Sequence, residues 1–357
     1  MNAFEPDDSP FRTPVVVVLG ALGSGKTTVI NRFLATQAGR NWAVVTNESG
    51  KATSTARLSA HVEGELVPHA VGCLCCVARS GLVDSLRRLH AARARGPDAA
   101  FDGVIVETAG GADPAPVMQT LLNNALVTQY FRLDSVVAVV DVRVAHDDLP
   151  DASHDLKQLA LADRVLLTHA DLVGTSHREY LEARIRRIAG PVPVADGASA
   201  DFRGAGGGFS GEFSRSGRLD DWLGAAATSS GELERDLHRF RVRIPGATSW
   251  DGLHGWLNAG MRMHGEVMYR VRACIAVAGF DRAPVVLQSV QHVMKPPVAL
   301  AIWGRLERAT VLQFVTRELP ASVVEESLAR DLPMFEQMAL EREARQVRTR
   351  ADPSLPA

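Results

Sequence analysis

The sequence predicts two folded units: a doubly wound α/β domain with a mostly parallel sheet, then a smaller α+β domain. Three observations carry this. Short, nearly continuous Val/Ile/Leu runs alternate with longer amphipathic stretches over the first half, the pattern of buried parallel strands joined by helical crossovers. The first of these runs leads directly into a glycine-rich turn that opens a helix. From residue 196 the texture changes to Gly, Ser and Ala, and then to a region where strand patterns outnumber helical ones.

In the first domain, assigned to 1–195, strands are expected at 15–19, 42–46, 103–106, 135–140, 165–168 and 191–194. Helices are expected between them at 26–38, 82–94, 116–126, 155–162 and 177–189. Segment 196–235 has little hydrophobic period and reads as a flexible Gly/Ser-rich linker. In the second domain, 236–335, strands fit 239–244, 267–278, 285–292, 300–303 and 310–316, with helices at 250–258 and 321–332. The charged tail, 336–357, carries Pro353 and Pro356 and is expected to fray beyond residue 339. The tryptophans Trp222, Trp250, Trp256 and Trp303 read as packing anchors, and the run 184–187 as a solvated helix face.

Composition narrows the function. With 39 basic and 41 acidic residues in 357, the formal charge is -2, so no global field draws the chain to nucleic acid or to an anionic membrane. No apolar run approaches the roughly 20 residues of a membrane span. Residues 1–14 carry Glu5, Asp7 and Asp8 and no hydrophobic stretch, unlike a secretory signal, and a cytoplasmic location is expected. Of four cysteines, Cys73, Cys75 and Cys76 crowd together and Cys274 stands alone. Near neighbours make poor disulfide partners, and three soft thiolates suit zinc or copper(I).

Gly20-Ala21-Leu22-Gly23-Ser24-Gly25-Lys26-Thr27 fits G-x-x-x-x-G-K-[ST] between an apolar strand and a helix. Here Gly20, Gly23, Ser24 and Gly25 let backbone N–H groups wrap phosphate oxygens. Lys26 reaches the β and γ phosphates, and the Thr27 hydroxyl is a magnesium ligand. A second phosphate-sensing element is expected where strand 103–106 ends in Glu107, followed by Thr108, Ala109 and Gly110. The acid is placed to hold magnesium and the Gly110 N–H to meet the γ phosphate. Base recognition is expected at Thr168-His169-Ala170-Asp171, where one carboxylate can accept both N–H donors on the guanine edge.

Taken in order, the phosphate loop, Asn47-Glu48-Ser49-Gly50, Gly72-Cys73-Leu74-Cys75-Cys76, Glu107-Thr108-Ala109-Gly110 and Ala112-Asp113-Pro114-Ala115-Pro116-Val117 resemble the CobW-type metal-chaperone GTPases. Gln158-Leu159-Ala160-Leu161-Ala162-Asp163-Arg164 and, in the second domain, Tyr269-Arg270-Val271-Arg272 extend the likeness over nearly the whole chain. The resemblance implies a P-loop GTPase domain joined to a smaller C-terminal domain. It also implies GTP binding and slow hydrolysis with Mg2+, linked to delivery of Zn2+ or Co2+ to a client metalloprotein. Unassisted turnover is then expected at roughly 10⁻⁴ to 10⁻² per second. By motif match, Gly23, Gly25, Lys26, Thr27 and Thr28 meet phosphates and magnesium, Cys73, Cys75 and Cys76 the metal, and Asp171 the base. Glu48, a water or a client residue would close the thiolate shell. Thr168 and His169 stand where the family usually has Asn and Lys, and 196–230 lacks the His-rich stretch of many relatives. The rival reading is a P-loop ATPase or small-molecule kinase with a structural zinc site.

Overall fold

The computed structural model describes residues 12–36, 41–46, 77–93, 101–110, 112–143, 153–190, 192–199, 202, 231–234, 237–300, 303 and 308–351. The chain divides near residue 213 into two compact units.

The first unit is built on six parallel strands: β1 (Thr13–Leu19), β2 (Trp42–Thr46), β3 (Gly103–Glu107), β4 (Phe131–Asp141), β5 (Arg164–Thr168) and β6 (Val194–Asp196). Their order is β2-β3-β1-β4-β5-β6, and every pairing in it is parallel. Val15, Val16, Val17, Val18 and Leu19 are all fully buried, as the unbroken apolar run requires of a strand covered on both faces. One face packs Val16, Val18, Val44 and Ile105 against Val29, Ile30 and Phe33 of helix α1 (Lys26–Ala35). The other helices are α2 (Val77–Arg93), α3 (Ala115–Asn123), α4 (Ala125–Thr128), α5 (Ser153–Leu161) and α6 (Thr175–Ala189). The single helix expected at 116–126 is two. Asn124 is extended, and its side-chain oxygen accepts from the Leu126 and Val127 amides, capping a new turn.

The second unit holds β7 (Gly231–Glu234), β8 (Leu237–Ile244), β9 (Met268–Ile275), β10 (Val285–Val290), β11 (Val293–Met294), β12 (Val298–Ala299) and β13 (Thr310–Arg317). They form an antiparallel sheet, β11-β10-β9-β13-β8-β7, with β12 paired to β10. Helices α7 (Trp250–His264) and α8 (Ala321–Ala351) supply Leu253, Trp256, Leu257 and Leu332 to a core shared with Phe240, Val271, Leu312 and Phe314. Strand alternation puts Arg239, Arg241, Arg270 and Arg272 in the opposite phase to those core residues. Burial, then the charges of Arg241 and Arg270, bring the Arg239 guanidinium down to about 10.

Three expectations need correction. Segment 196–235 is not linker throughout. Phe202 is buried edge-on against Phe33 in the first core, and Gly231–Glu234 is a strand. The strand expected at 300–303 ends earlier, at Ala299, with Leu300 and Trp303 outside any strand. Helix α8 continues through Pro333 and past residue 339 to Ala351, because Leu332 and Phe335 pack on the core and hold the chain helical across the proline. Trp256 is a buried anchor, its indole N–H donating to the Ser327 hydroxyl, while Trp222 lies outside the described residues.

Candidate nucleotide site

Strand order reverses around β1, which has β3 on one side and β4 on the other. In open parallel sheets the carboxyl ends at such a switch point form the binding crevice. The register brings the four functional segments to that edge: Val18 opposite Glu107, Leu19 opposite Ala138, and Asp141 opposite Thr168.

Beyond Leu19 the backbone turns through Gly20, Gly23 and Gly25, all at positive φ, and Gly25 caps α1. A Cβ on Gly20 would come 2.5 Å from the Val139 carbonyl oxygen and 2.6 Å from Ser24 Oγ, so no side chain fits there. Lys26 is 3% exposed, and its ammonium donates to the Gly20 and Ala21 carbonyl oxygens at 3.0 Å each. The loop is thus curled around its own lysine. Ser24 is buried, with a hydroxyl that no protein group meets, while Thr28 on the first turn of α1 is exposed.

The Thr27 hydroxyl donates to Glu107 Oε1 at 2.6 Å, and Glu107 is 2% exposed. Thr108 holds that strand end to β1, its amide and its hydroxyl both donating to the Val18 carbonyl. A side chain at Gly110 would collide with the Leu22 amide nitrogen and Cα, so the backbones of the two loops lie against each other. Downstream, Asp113 accepts from the Ala115 amide and from Lys157 at 2.7 Å, and Gln158 donates to the Ala112 carbonyl. These bonds fasten the segment after β3 to α5.

Thr168 is buried. Its hydroxyl donates to the Ser24 carbonyl at 2.8 Å and lies 3.3 Å from that of Val140, joining the base loop to the phosphate loop. Asp171 is exposed in the short helical turn Ala170–Leu172. The structure therefore gathers Gly20, Gly23, Ser24, Gly25, Lys26, Thr27, Glu107, Gly110 and Thr168 on one sheet edge. Cys73, Cys75, Cys76 and Glu48 lie outside the described residues. Among the described residues there is no cluster of His, Cys, Asp and Glu able to hold a metal ion, and Cys274 is a buried cysteine outside any disulfide. Sequence reasoning passed over Asp141 and Arg143 and gave Thr108 no task of its own. Asp141 carried the signal that identified Glu107, an acid closing an apolar strand.

Fold and site together define a phosphate-loop nucleotide-binding protein with an appended antiparallel domain. The chain belongs to the CobW family: residues 14–196 match the CobW/HypB/UreG nucleotide-binding domain and residues 237–332 the cobalamin synthesis protein cobW C-terminal domain. It is 34% identical over 183 residues to the zinc chaperone YjiA of Escherichia coli, covering 51% of this chain and 57% of that protein. It is 32% identical over 220 residues to the zinc chaperone CobW of Pseudomonas aeruginosa, covering 52% and 55%. With zinc-regulated GTPase metalloprotein activator 1 of Schizosaccharomyces pombe it shares 29% over 182 residues, covering 49% and 43%. The chain spans about half the length of the curated relatives it matches. The crystal structure of Zn(II)-bound YjiA GTPase from E. coli shares the fold at a TM-score of 0.62 and 21% identity, over 90% of this chain and 99% of that one. Among the described residues no helix is long and apolar enough to cross a membrane.

Proposed function

We propose that the chain binds GTP with magnesium, hydrolyses it to GDP and phosphate, and couples nucleotide state to the binding and delivery of zinc, or cobalt, to a client metalloprotein. The observation that carries the reading is the 2.6 Å bond between Thr27 and Glu107, which are 80 residues apart in sequence. A helix-opening hydroxyl and a strand-ending carboxylate meet beside a curled phosphate loop. These are hard oxygen donors, few in number, as magnesium favours when it keeps several of its waters. The residues present therefore fit the ion, with Thr27 and Glu107 holding it. When bound, magnesium neutralises charge on the β and γ phosphates.

The chain's own residues do the rest. Lys26 exchanges two carbonyl oxygens for phosphate oxygens and stabilises charge that builds as water attacks the γ phosphorus and the bond to the bridging oxygen breaks. Gly20, Gly23, Ser24, Gly25 and Thr28 line the phosphates, and the buried Ser24 hydroxyl is a donor in want of an acceptor. Gly110 senses the γ phosphate through its N–H. Asp171 accepts from the guanine edge, and Thr168 steadies that loop. For the cargo, Cys73, Cys75 and Cys76 supply three thiolates and leave a fourth position for Glu48, water or a client residue. Zinc is supported by the names of the relatives, two of them zinc chaperones.

The test is phosphate release from GTP and ATP by wild type and Lys26→Ala, with bound nucleotide verified. Release from GTP is expected to fall by about a hundredfold or more in the variant. Wild-type rates in Lys26→Ala would remove the loop from the mechanism. Equal GTP and ATP affinities, unchanged by Asp171→Ala, would point to the ATPase reading instead.

A further inference from the structure

The residue after Thr168 is held in an unusual way. His169 has φ 56, in the left-handed region that few residues other than glycine adopt and that histidine enters more readily than most. That backbone turn brings its ring back over the end of β4, where Nδ1 lies 3.2 Å from Asp141 Oδ2. Nδ1 is buried and makes no hydrogen bond among the described residues, so its approach to Asp141 is a charge contact; the side chain as a whole is 36% exposed, and the opposite edge of the ring faces outward. Asp141 is in turn gripped by Arg143: Oδ1 accepts from its amide at 2.9 Å and from Nε at 3.1 Å, and Oδ2 from Nη2 at 2.7 Å. The Asp141 side chain is 6% exposed. Burial pushes its carboxyl up, but the bonds from Arg143 and the charges of His169 and Arg143 outweigh this and hold it below the usual range.

Three residues of the base loop thus have divided tasks. Thr168 spends its hydroxyl on the phosphate loop, His169 lies against the Asp141 carboxylate at the end of β4, and Asp171 alone offers an exposed carboxylate. We propose that Asp141 is a positioning residue for nucleotide selectivity, which fixes the His169 ring as a flat platform for the purine without touching the nucleotide. A ring pinned at one edge offers a single plane. A purine lying on it presents its Watson–Crick edge to Asp171, where guanine has two N–H donors for the carboxylate and adenine does not. A ring free to turn loses that discrimination, because the base is no longer held in register with Asp171. This inference rests on the reading of the loop as a guanine site.

The experiment is equilibrium titration of GDP and ADP against wild type, Asp141→Asn, His169→Gly and the double variant. Glycine is chosen at 169 because it takes a positive φ freely and so removes the ring while keeping the turn. Asp141→Asn is expected to weaken GDP by about tenfold, the effect of one charge-assisted contact, and ADP by far less; His169→Gly, which also removes the stacking face, should weaken both, GDP more than ADP. In the His169→Gly background Asp141→Asn should add nothing, because Asp141 acts through the ring. Arg143→Gln, which leaves the buried carboxylate in place, should weaken GDP in the same direction and serves if Asp141→Asn does not fold. Equal losses for GDP and ADP, or losses that multiply in the double variant, overturn the proposal. A wild type with no preference for GDP, indifferent to Asp171→Ala, would overturn the guanine reading itself. A retained preference untouched by Asp141→Asn and Arg143→Gln would overturn only the inference.

Discussion

Asp141 shows how much one side chain at a strand end can govern. Its carboxyl titrates below its unfolded value of about 3.9, so the native state binds fewer protons than the unfolded state through that range. The stability it contributes is therefore complete above the unfolded value and is lost as pH falls through the lower folded one. Asp141→Asn is expected to lower unfolding free energy by about 1–3 kcal/mol at pH 7, with the deficit shrinking steadily below about pH 4. Denaturant titrations at both pH values check this, and a pH-independent deficit would contradict it. That Lys26, Thr27 and Glu107 meet at one edge of the sheet was legible in the sequence, because each proposed role demands one residue type at one distance from a glycine turn. Asp141 was not, because its partners are Arg143 on its own strand end and His169 on the next strand's loop. Only the β4–β5 register reveals that Asp141 and Thr168 lie side by side.

Between elements, the joint of α7 and α8 carries the second unit. Glu336 Oε1 accepts from the Thr248 hydroxyl at 2.8 Å and the Ser249 amide at 3.3 Å, just ahead of α7. Ser249 caps the same helix by accepting from the Gly252 amide. A carboxylate there also meets the positive end of the helix dipole. Glu336→Ala should destabilise the unit by about 1–2 kcal/mol, read as a shift in the denaturant midpoint with nucleotide binding unchanged. This joint also explains a misreading. Pro333 and the charges beyond it read as a helix ending near 332, since proline removes a donor and crowds the preceding turn. Leu332, Phe335 and Glu336 bring contacts with other elements that no local pattern records, and α8 runs 31 residues. Four strands of the first unit, by contrast, were legible to within two residues, because burial on both faces leaves a continuous apolar run; β4 begins four residues ahead of the expected 135–140, and the half-buried β6 lies at Val194–Asp196 and not at 191–194.

For the molecule as a whole, the proposed function demands reciprocity between cargo and nucleotide. The proposed thiolates fall between the phosphate loop and Glu107 in the chain, so a segment that moves with the γ phosphate can alter the metal's surroundings. Wild type is expected to bind about one zinc per chain through three thiolates and a fourth ligand. Zinc affinity should differ by about 5- to 150-fold between GDP and a non-hydrolysable GTP analogue, and zinc should change the nucleotide preference by the same factor. Competition with a chromophoric chelator measures both arms. Equal zinc affinity in the two states would exclude the coupling, and zinc retained after joint substitution of Cys73, Cys75 and Cys76 by serine would place the ligands elsewhere.

The backbone of Gly110 resting on that of Leu22 has a mechanical consequence. The Leu22 side chain is 82% exposed, so the meeting is peptide on peptide, and among the described residues no backbone hydrogen bond ties the two together. The fit is one of shape: two loops pass too close for a side chain to stand between them, while the Thr108 bonds to Val18 hold the segment in place. Any residue larger than glycine at 110 forces one loop to shift, whereas the outward-facing Leu22 side chain meets no such limit.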